Sequence, residues 1–281
     1  MEKLTIDCHI HITPPEIIAQ AKKYRKDEPY FDLLSSSPKN SYITADELVR
    51  QMDRIGLEKA VVFGFSFQSM ELCQKVNDYT IESVQRFPER LLGLATVNPL
   101  ADNLTEELAR CRAAGLRGVG ELMATGQEVD LTDQEQLKPL CTFCREQDWP
   151  LLVHLNEPVG HYYPGKSRDS IKQGEVLAKN FPEVKFIYAH WGGGLIFYEL
   201  MPELRADLQN VYYDTAASPF LYDRKIYRLI KEMGLTDKIL LGSDYPLLSP
   251  AVYLEELEKT GLSGAEQELI RGGNARRLFK L

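Results

Sequence analysis

Short apolar runs rich in β-branched residues recur along the chain, each leading through a polar turn into a stretch with helical spacing. Eight such runs stand at residues 4–8, 60–63, 91–97, 116–120, 151–153, 184–189, 211–213 and 239–241. They are nearly continuous rather than alternating, as expected of parallel strands covered on both faces. Helical stretches lie between them. Thr44-Ala45-Asp46-Glu47 is a capping box, whose hydroxyl and carboxylate satisfy exposed backbone N–H groups, and it opens a helix closing near Gly56. Further helices are expected at residues 71–87, 104–114, 134–147, 170–180, 223–233, 252–259 and 265–270, with Pro88 and Gly115 as stops for the first two.

Strand–helix alternation with right-handed crossovers builds either a closed barrel or an open, doubly wound sheet. Eight units in 281 residues fit the barrel, and no Gly-rich dinucleotide-binding turn follows the first strand. The expectation is an α/β chain with residues 1–281 forming one distorted (β/α)₈ TIM-type barrel domain. Its two long loops, after strands 1 and 5, span residues 12–43 and 156–169. Both leave C-terminal strand ends, the face on which barrel enzymes carry their sites, so they are candidates for a lid and a substrate wall.

Composition narrows the partners. Against 33 Lys and Arg stand 41 Asp and Glu, a net charge of −8, which argues against nucleic acid or an anionic membrane as ligand. No apolar segment is long enough to span a bilayer or to serve as a signal peptide. Five cysteines in no framework spacing fit a reduced, cytoplasmic setting, and Cys141 and Cys144, on a helical pattern, read as buried thiols. A small-molecule substrate is expected, with a homo-oligomer as the base-rate state.

The candidate chemistry gathers at strand ends. Residues two apart on a strand share a face, so His9 and His11 point together into the barrel mouth while Cys8 and Ile10 pack outward. Strand 4 ends in Glu121, strand 5 in His154, strand 6 in His190 and strand 8 in Asp244. Imidazoles and carboxylates converging without a partner are costly to bury, so a cation is expected between them. Nitrogen and oxygen donors suit zinc first, with manganese or iron also compatible, as one ion or two. Asp7 shares strand parity with His9 and is a candidate to orient its imidazole. Trp191 is a candidate pocket floor or a packing residue. Arg25 and Lys166 are candidate substrate contacts, Arg168 beside Lys166 a weaker one. His161 reads as solvent-facing.

The H-x-H on strand 1, the histidines ending strands 5 and 6 and the aspartate ending strand 8 resemble the amidohydrolase superfamily. Ala189-His190-Trp191-Gly192-Gly193, Gly242-Ser243-Asp244-Tyr245-Pro246 and Gly273-Asn274-Ala275-Arg276-Arg277-Leu278-Phe279 are similar to its amidohydrolase-related branch, which includes aminocarboxymuconate-semialdehyde-decarboxylase-like enzymes. The resemblance implies that His9, His11 and Asp244 bind a metal and that His154 ligates in either site. It implies for His190 a second-metal or water-orienting role. Glu121 departs from the single-metal decarboxylases and resembles a carboxylate bridging two metals, the alternative being an acid that binds substrate or supports a ligand from behind. The reading that follows is a hydrolase of an amide, ester or lactone, in which Asp244 moves the proton of a metal-activated water. The alternative is non-oxidative decarboxylation of an aromatic or unsaturated acid, with Arg25 available to hold the carboxylate. A non-catalytic metal-binding barrel is the third.

Overall fold

The structure is a computed structural model that describes residues 4–37, 40–163, 166 and 170–281. Arg168, singled out above, lies outside them. Eight strands follow one another as β1 (Ile6–His11), β2 (Lys59–Phe63), β3 (Leu91–Gly93), β4 (Val119–Leu122), β5 (Leu151–Val153), β6 (Phe186–Tyr188), β7 (Val211–Asp214) and β8 (Ile239–Leu240). All neighbouring pairs are parallel, in the order β1-β2-β3 and β4 through β8. Two bridges close the ring. Ala95 meets Val119 across one seam and Ile10 meets Tyr245 across the other. Backbone bonds from Gly120 N to Ala95 O (3.0 Å) and from Cys8 N to Leu241 O (2.7 Å) seal the same seams. The expected (β/α)₈ barrel is present.

Alternation along β2 shows how it is filled. Ala60 and Val62 pack against Leu48 and Met52 of the covering helix Ala45–Ile55. Val61 and Phe63 join Leu92, Leu94, Leu152 and Ile187 in a different cluster, contributed by facing strands. The first face packs on helices and the second fills the barrel. Helix boundaries follow the sequence signals closely. Thr44 and Glu47 form the capping box, and Gly56 ends that helix with φ 69°, a left-handed conformation that costs glycine nothing.

The segment after β1 is more structured than a loop. It carries the helices Pro15–Ala19 and Ala21–Tyr24, and a third, Pro29–Ser35, follows. Ile17, Tyr24 and Phe31 from this segment pack with Phe67, Cys73 and Val76 in a small core of their own. The buried carboxylate of Glu28 accepts from Gln68 N and Ser69 N, both at 2.8 Å, which ties the segment to the start of the helix Met70–Arg86. Among the described residues no helix is long and apolar enough to cross a membrane.

The turn after β6 sets the site's backbone. His190, Trp191, Gly192, Gly193 and Gly194 all have positive φ, from 58° to 90°. Two of these are not glycine, a strain that persists only where surrounding structure enforces it. Gly193 has no alternative. A Cβ there would lie 2.3 Å from the backbone oxygen of Asn156, in the segment leaving β5. Gly193→Ala is therefore expected to combine left-handed strain with a backbone clash and cost about 2–4 kcal/mol, read as a lower denaturation midpoint. An unchanged midpoint would show that the β5 and β6 ends are not locked together.

Candidate metal centre

His9 and His11 stand at the end of β1, their ring Nε2 atoms 3.3 Å apart. Asp244 Oδ1 lies 3.7 Å from His9 Nε2 and 3.4 Å from His11 Nε2. Glu121 Oε2 approaches the same two nitrogens at 3.7 and 3.5 Å. His9 Nε2, His11 Nε2 and Asp244 Oδ1, 3.3–3.7 Å apart, are spaced so that one cation could sit about 2.1 Å from each, the bond length of zinc or a similar ion to nitrogen and oxygen, and Glu121 Oε2 lies close enough to the two imidazoles to join them. The donor chemistry and the spacing fit a divalent metal. A second triad adjoins the first. Glu121 Oε1 is 2.9 Å from His154 Nδ1 and 3.7 Å from His190 Nε2, and the two imidazole nitrogens are 3.2 Å apart. Glu121 thus has one oxygen in each group. The six strand-end residues are brought together, divided as His9, His11 and Asp244 on one side and Glu121, His154 and His190 on the other.

Electrostatics hold this cluster together. Burial alone would raise the Glu121 carboxyl, but His9 and His154 beside it hold it well below the usual carboxylate range. Burial likewise opposes charge on His9, and Asp214 and Glu121 override it, raising that imidazole well above its ordinary value. Asp244 follows Glu121: burial raises it, while His11, His9 and His190 bring it below its ordinary value. A cation entering here takes over the role of the imidazole protons, so its binding releases protons and weakens as pH falls.

The residue that orients His9 is Asp214, at the end of β7. Its Oδ2 is 2.8 Å from His9 Nδ1, and its Oδ1 accepts from the backbone N–H groups of His190 (2.9 Å) and Ala216 (3.0 Å). Sequence reasoning missed it, although a polar residue closing a buried apolar run was the signal that revealed the others. Asp7 does a different job from the one expected. Its Oδ1 accepts from His9 N and Ser243 N, both at 3.0 Å, joining the ends of β1 and β8 rather than holding the imidazole. Burial pushes its carboxyl up to about 7. His190 presents Nε2 to the cluster, with Nδ1 3.0 Å from Ala216 O.

A cavity of 690 Å³ opens above the cluster, and His11, Glu121, His154, His190 and Asp244 all line it. Lys166 and His161 line it as well, with the Lys166 amine bonded to the Val159 and His161 carbonyls. Trp191 does not reach it. That ring is fully buried against Tyr227, and its Nε1 donates to Ser218 at 2.9 Å, because left-handed backbone turns it away from the mouth. Arg25 does not reach it either, since its guanidinium is spent on the Ser35 hydroxyl and carbonyl. Cys141 and Cys144 are buried free thiols. Asp214→Asn keeps the volume but removes the anionic partner of His9, so metal affinity should fall about 10–100-fold with the fold intact. Competition with a chelating dye, alongside circular dichroism, measures both, and an unaltered affinity would remove Asp214 from the site.

Comparison with known proteins extends the picture. The amidohydrolase family model matches residues 6–281. A gamma-resorcylate decarboxylase of Polaromonas sp. is 25% identical over 288 residues, covering 84% of this chain and 87% of its own. The 2-amino-3-carboxymuconate-6-semialdehyde decarboxylase of Dictyostelium discoideum is 24% identical, covering 97% and 90%. Among solved structures, a 5-carboxyvanillate decarboxylase of Novosphingobium aromaticivorans, complexed with manganese and 4-hydroxy-3-methoxy-5-nitrobenzoic acid, superposes with a TM-score of 0.76 at 18% identity, covering 100% of this chain and 97% of that one. These relatives correct the expectation of a hydrolase acting on an amide, ester or lactone. That expectation leaned on Glu121, and a carboxylate between imidazoles specifies a place for a cation without specifying which bond breaks beside it. Matched by the family model from residue 6 to residue 281, the chain belongs to the amidohydrolase family, an enzyme with a site for a divalent metal.

Proposed function

We propose that this enzyme is a metal-dependent, non-oxidative decarboxylase of a hydroxylated aromatic acid. One observation carries the reading: the donor cluster opens onto a cavity walled by Phe31, Phe65, Phe67, Ile17 and Met123, an apolar surround suited to an aromatic ring. Lys166 is the one lysine or arginine among the described lining residues, so the substrate carboxylate has little besides the cation to meet it. The decarboxylase relatives support the same reading over most of the chain.

In this proposal His9, His11, Glu121 and Asp244 hold the principal cation, and His154 and His190 complete the site around Glu121. Manganese, as in the 5-carboxyvanillate decarboxylase, and zinc both suit such mixed donors. A divalent ion held there would supply positive charge to offset the substrate carboxylate and a phenolic oxygen beside it. The chemistry then requires a proton on the ring carbon bearing the carboxylate. That carbon gains the proton, the bond to the carboxylate breaks, its electron pair restores the aromatic ring, and carbon dioxide leaves. Asp244, lining the cavity, is the proposed proton carrier. His190, with Nδ1 facing the Ala216 carbonyl, turns Nε2 toward His154 and Glu121.

Asp244→Asn should leave the fold intact and lower turnover about 100-fold or more. Carbon dioxide release from 2-hydroxybenzoates in deuterated water, with deuterium appearing at the vacated carbon, tests the reaction itself. Turnover without that label would overturn the mechanism.

Glu121→Gln decides the metal count, since it keeps the volume and one carbonyl oxygen but loses the charge. The wild type should hold one or two ions per chain after dialysis, and the variant one fewer or a loosely bound one. An identical ratio and affinity would place Glu121 outside the ligand set.

A further inference from the structure

The cavity is much larger than a single ring needs. An apolar cavity of about 150 Å³ already accommodates benzene, whereas the cavity here, open to solvent past Val159 and Phe220, measures 690 Å³. The excess has a built wall. Phe31, Phe65 and Phe67 pack edge-to-face or tilted on one another with ring centroids 5.0–5.1 Å apart, and Ile17, Leu34 and Val76 line the cavity with them. Phe31, Phe67, Ile17 and Val76 also belong to the separate small core formed by the segment after β1. Phe31 and Leu34 are three residues apart on the helix Pro29–Ser35 and so share a face. Glu28, immediately before that helix, pins the segment to the backbone of Gln68 and Ser69. The wall is therefore set in place by packing and by two hydrogen bonds to a buried carboxylate, rather than being a surface that forms around a ligand.

We propose that the substrate is an aromatic acid carrying an extended apolar substituent, an alkyl chain or second ring, which lies against Phe31, Leu34, Phe65 and Phe67 while the carboxylate faces the metal cluster. The proposal rests on the decarboxylase reading for its reacting end and adds the identity of the other end. Ile17, Phe31, Phe67 and Val76 are almost fully buried, so the surface left to gain from a ligand is carried by the half-buried Leu34 and Phe65, and a small ring at the metal cluster would leave that surface uncovered.

The test separates the two claims. Metal-loaded wild-type enzyme is titrated calorimetrically with phenol and with 3- and 4-alkylphenols bearing propyl and hexyl chains, the products of the corresponding alkyl-2-hydroxybenzoates. Affinity is expected to rise about three- to fourfold per methylene until the cavity is full, and at least about 30-fold from phenol to the best hexyl compound. Leu34→Trp, which fills part of the wall's volume, should remove most of that gain while affecting phenol far less. Leu34→Phe is the gentler variant if the first folds poorly. Affinities flat within about threefold across the series would overturn the proposal. So would a chain-length gain undiminished in both variants, since the chain would then lie elsewhere. Carbon dioxide release from the matching acids is scored separately. Its absence counts against the decarboxylase reading, whereas the binding series alone decides the apolar end.

Discussion

Six side chains with imidazole or carboxylate heads are drawn to one end of the barrel, three of them almost fully buried, and their heads lie 2.9–3.7 Å apart. Such a cluster is tolerable only if charge is shared across it, and every neighbouring element is shaped to make that sharing possible. Asp214 fixes the ring of His9 and simultaneously holds the backbone of His190 and Ala216. A single carboxylate on β7 thereby ties the histidine of β1 to the turn after β6. Asp7 performs the matching task between β1 and β8 through the N–H groups of His9 and Ser243. For Asp214 the cost of burial is offset by His9 and two backbone N–H groups, whereas Asp7 keeps Oδ2 without a partner among the described residues and its carboxyl is pushed up to about 7.

The backbone bears the other part of the cost. His190, Trp191 and Asp244 occupy the left-handed region with φ of 58–59°, where a side chain is disfavoured. Gly192, Gly193 and Gly194 continue the same turn and let Gly193 pass against Asn156. Tight curvature immediately beyond β6 carries His190 over the cluster and sends the ring of Trp191 into the surrounding core. Strain at this point is structural support for the site, distributed over a turn in which glycine can absorb most of it.

What was legible in the chain follows from these same physical terms. Strands betray themselves by unbroken apolar runs, and a polar residue ending such a run is conspicuous, so His9, His11, Glu121, His154, His190 and Asp244 could be placed at the barrel mouth. Asp214 ends β7 in the same way but belongs to no recognisable phrase, and its role depends on a partner 205 residues away. The choice of Asp7 as orienting acid failed because strand parity gives a side chain's face and says nothing of which neighbour's ring nitrogen it meets. Of the two readings of Trp191 the packing one holds, because the turn's left-handed backbone directs the ring into the core, and Arg25 is kept from the cavity by its local bonds to Ser35. The aromatic wall was not legible at all. Phe31 comes from the segment after β1 and Phe65 and Phe67 from the turn after β2, and only folding stacks them.

That division explains why the metal cluster alone pointed to the wrong reaction. A cation between imidazoles and carboxylates serves equally to activate water or to grip a carboxylate, so its donor set contains little information about the bond that breaks. The discriminating information lies in what surrounds the reacting carbon: whether polar groups are placed to stabilise an attacking water and a departing amine or alcohol, or whether apolar surface holds a ring still while a proton is delivered. Here the surround is aromatic, built from segments outside the eight strands and fixed by Glu28 and by its own small core. The barrel therefore supplies the charge, and on the proposed reading the segment after β1 supplies the choice of substrate. Two parts of one chain with separate packing can change independently, one keeping the metal while the other alters what is brought to it.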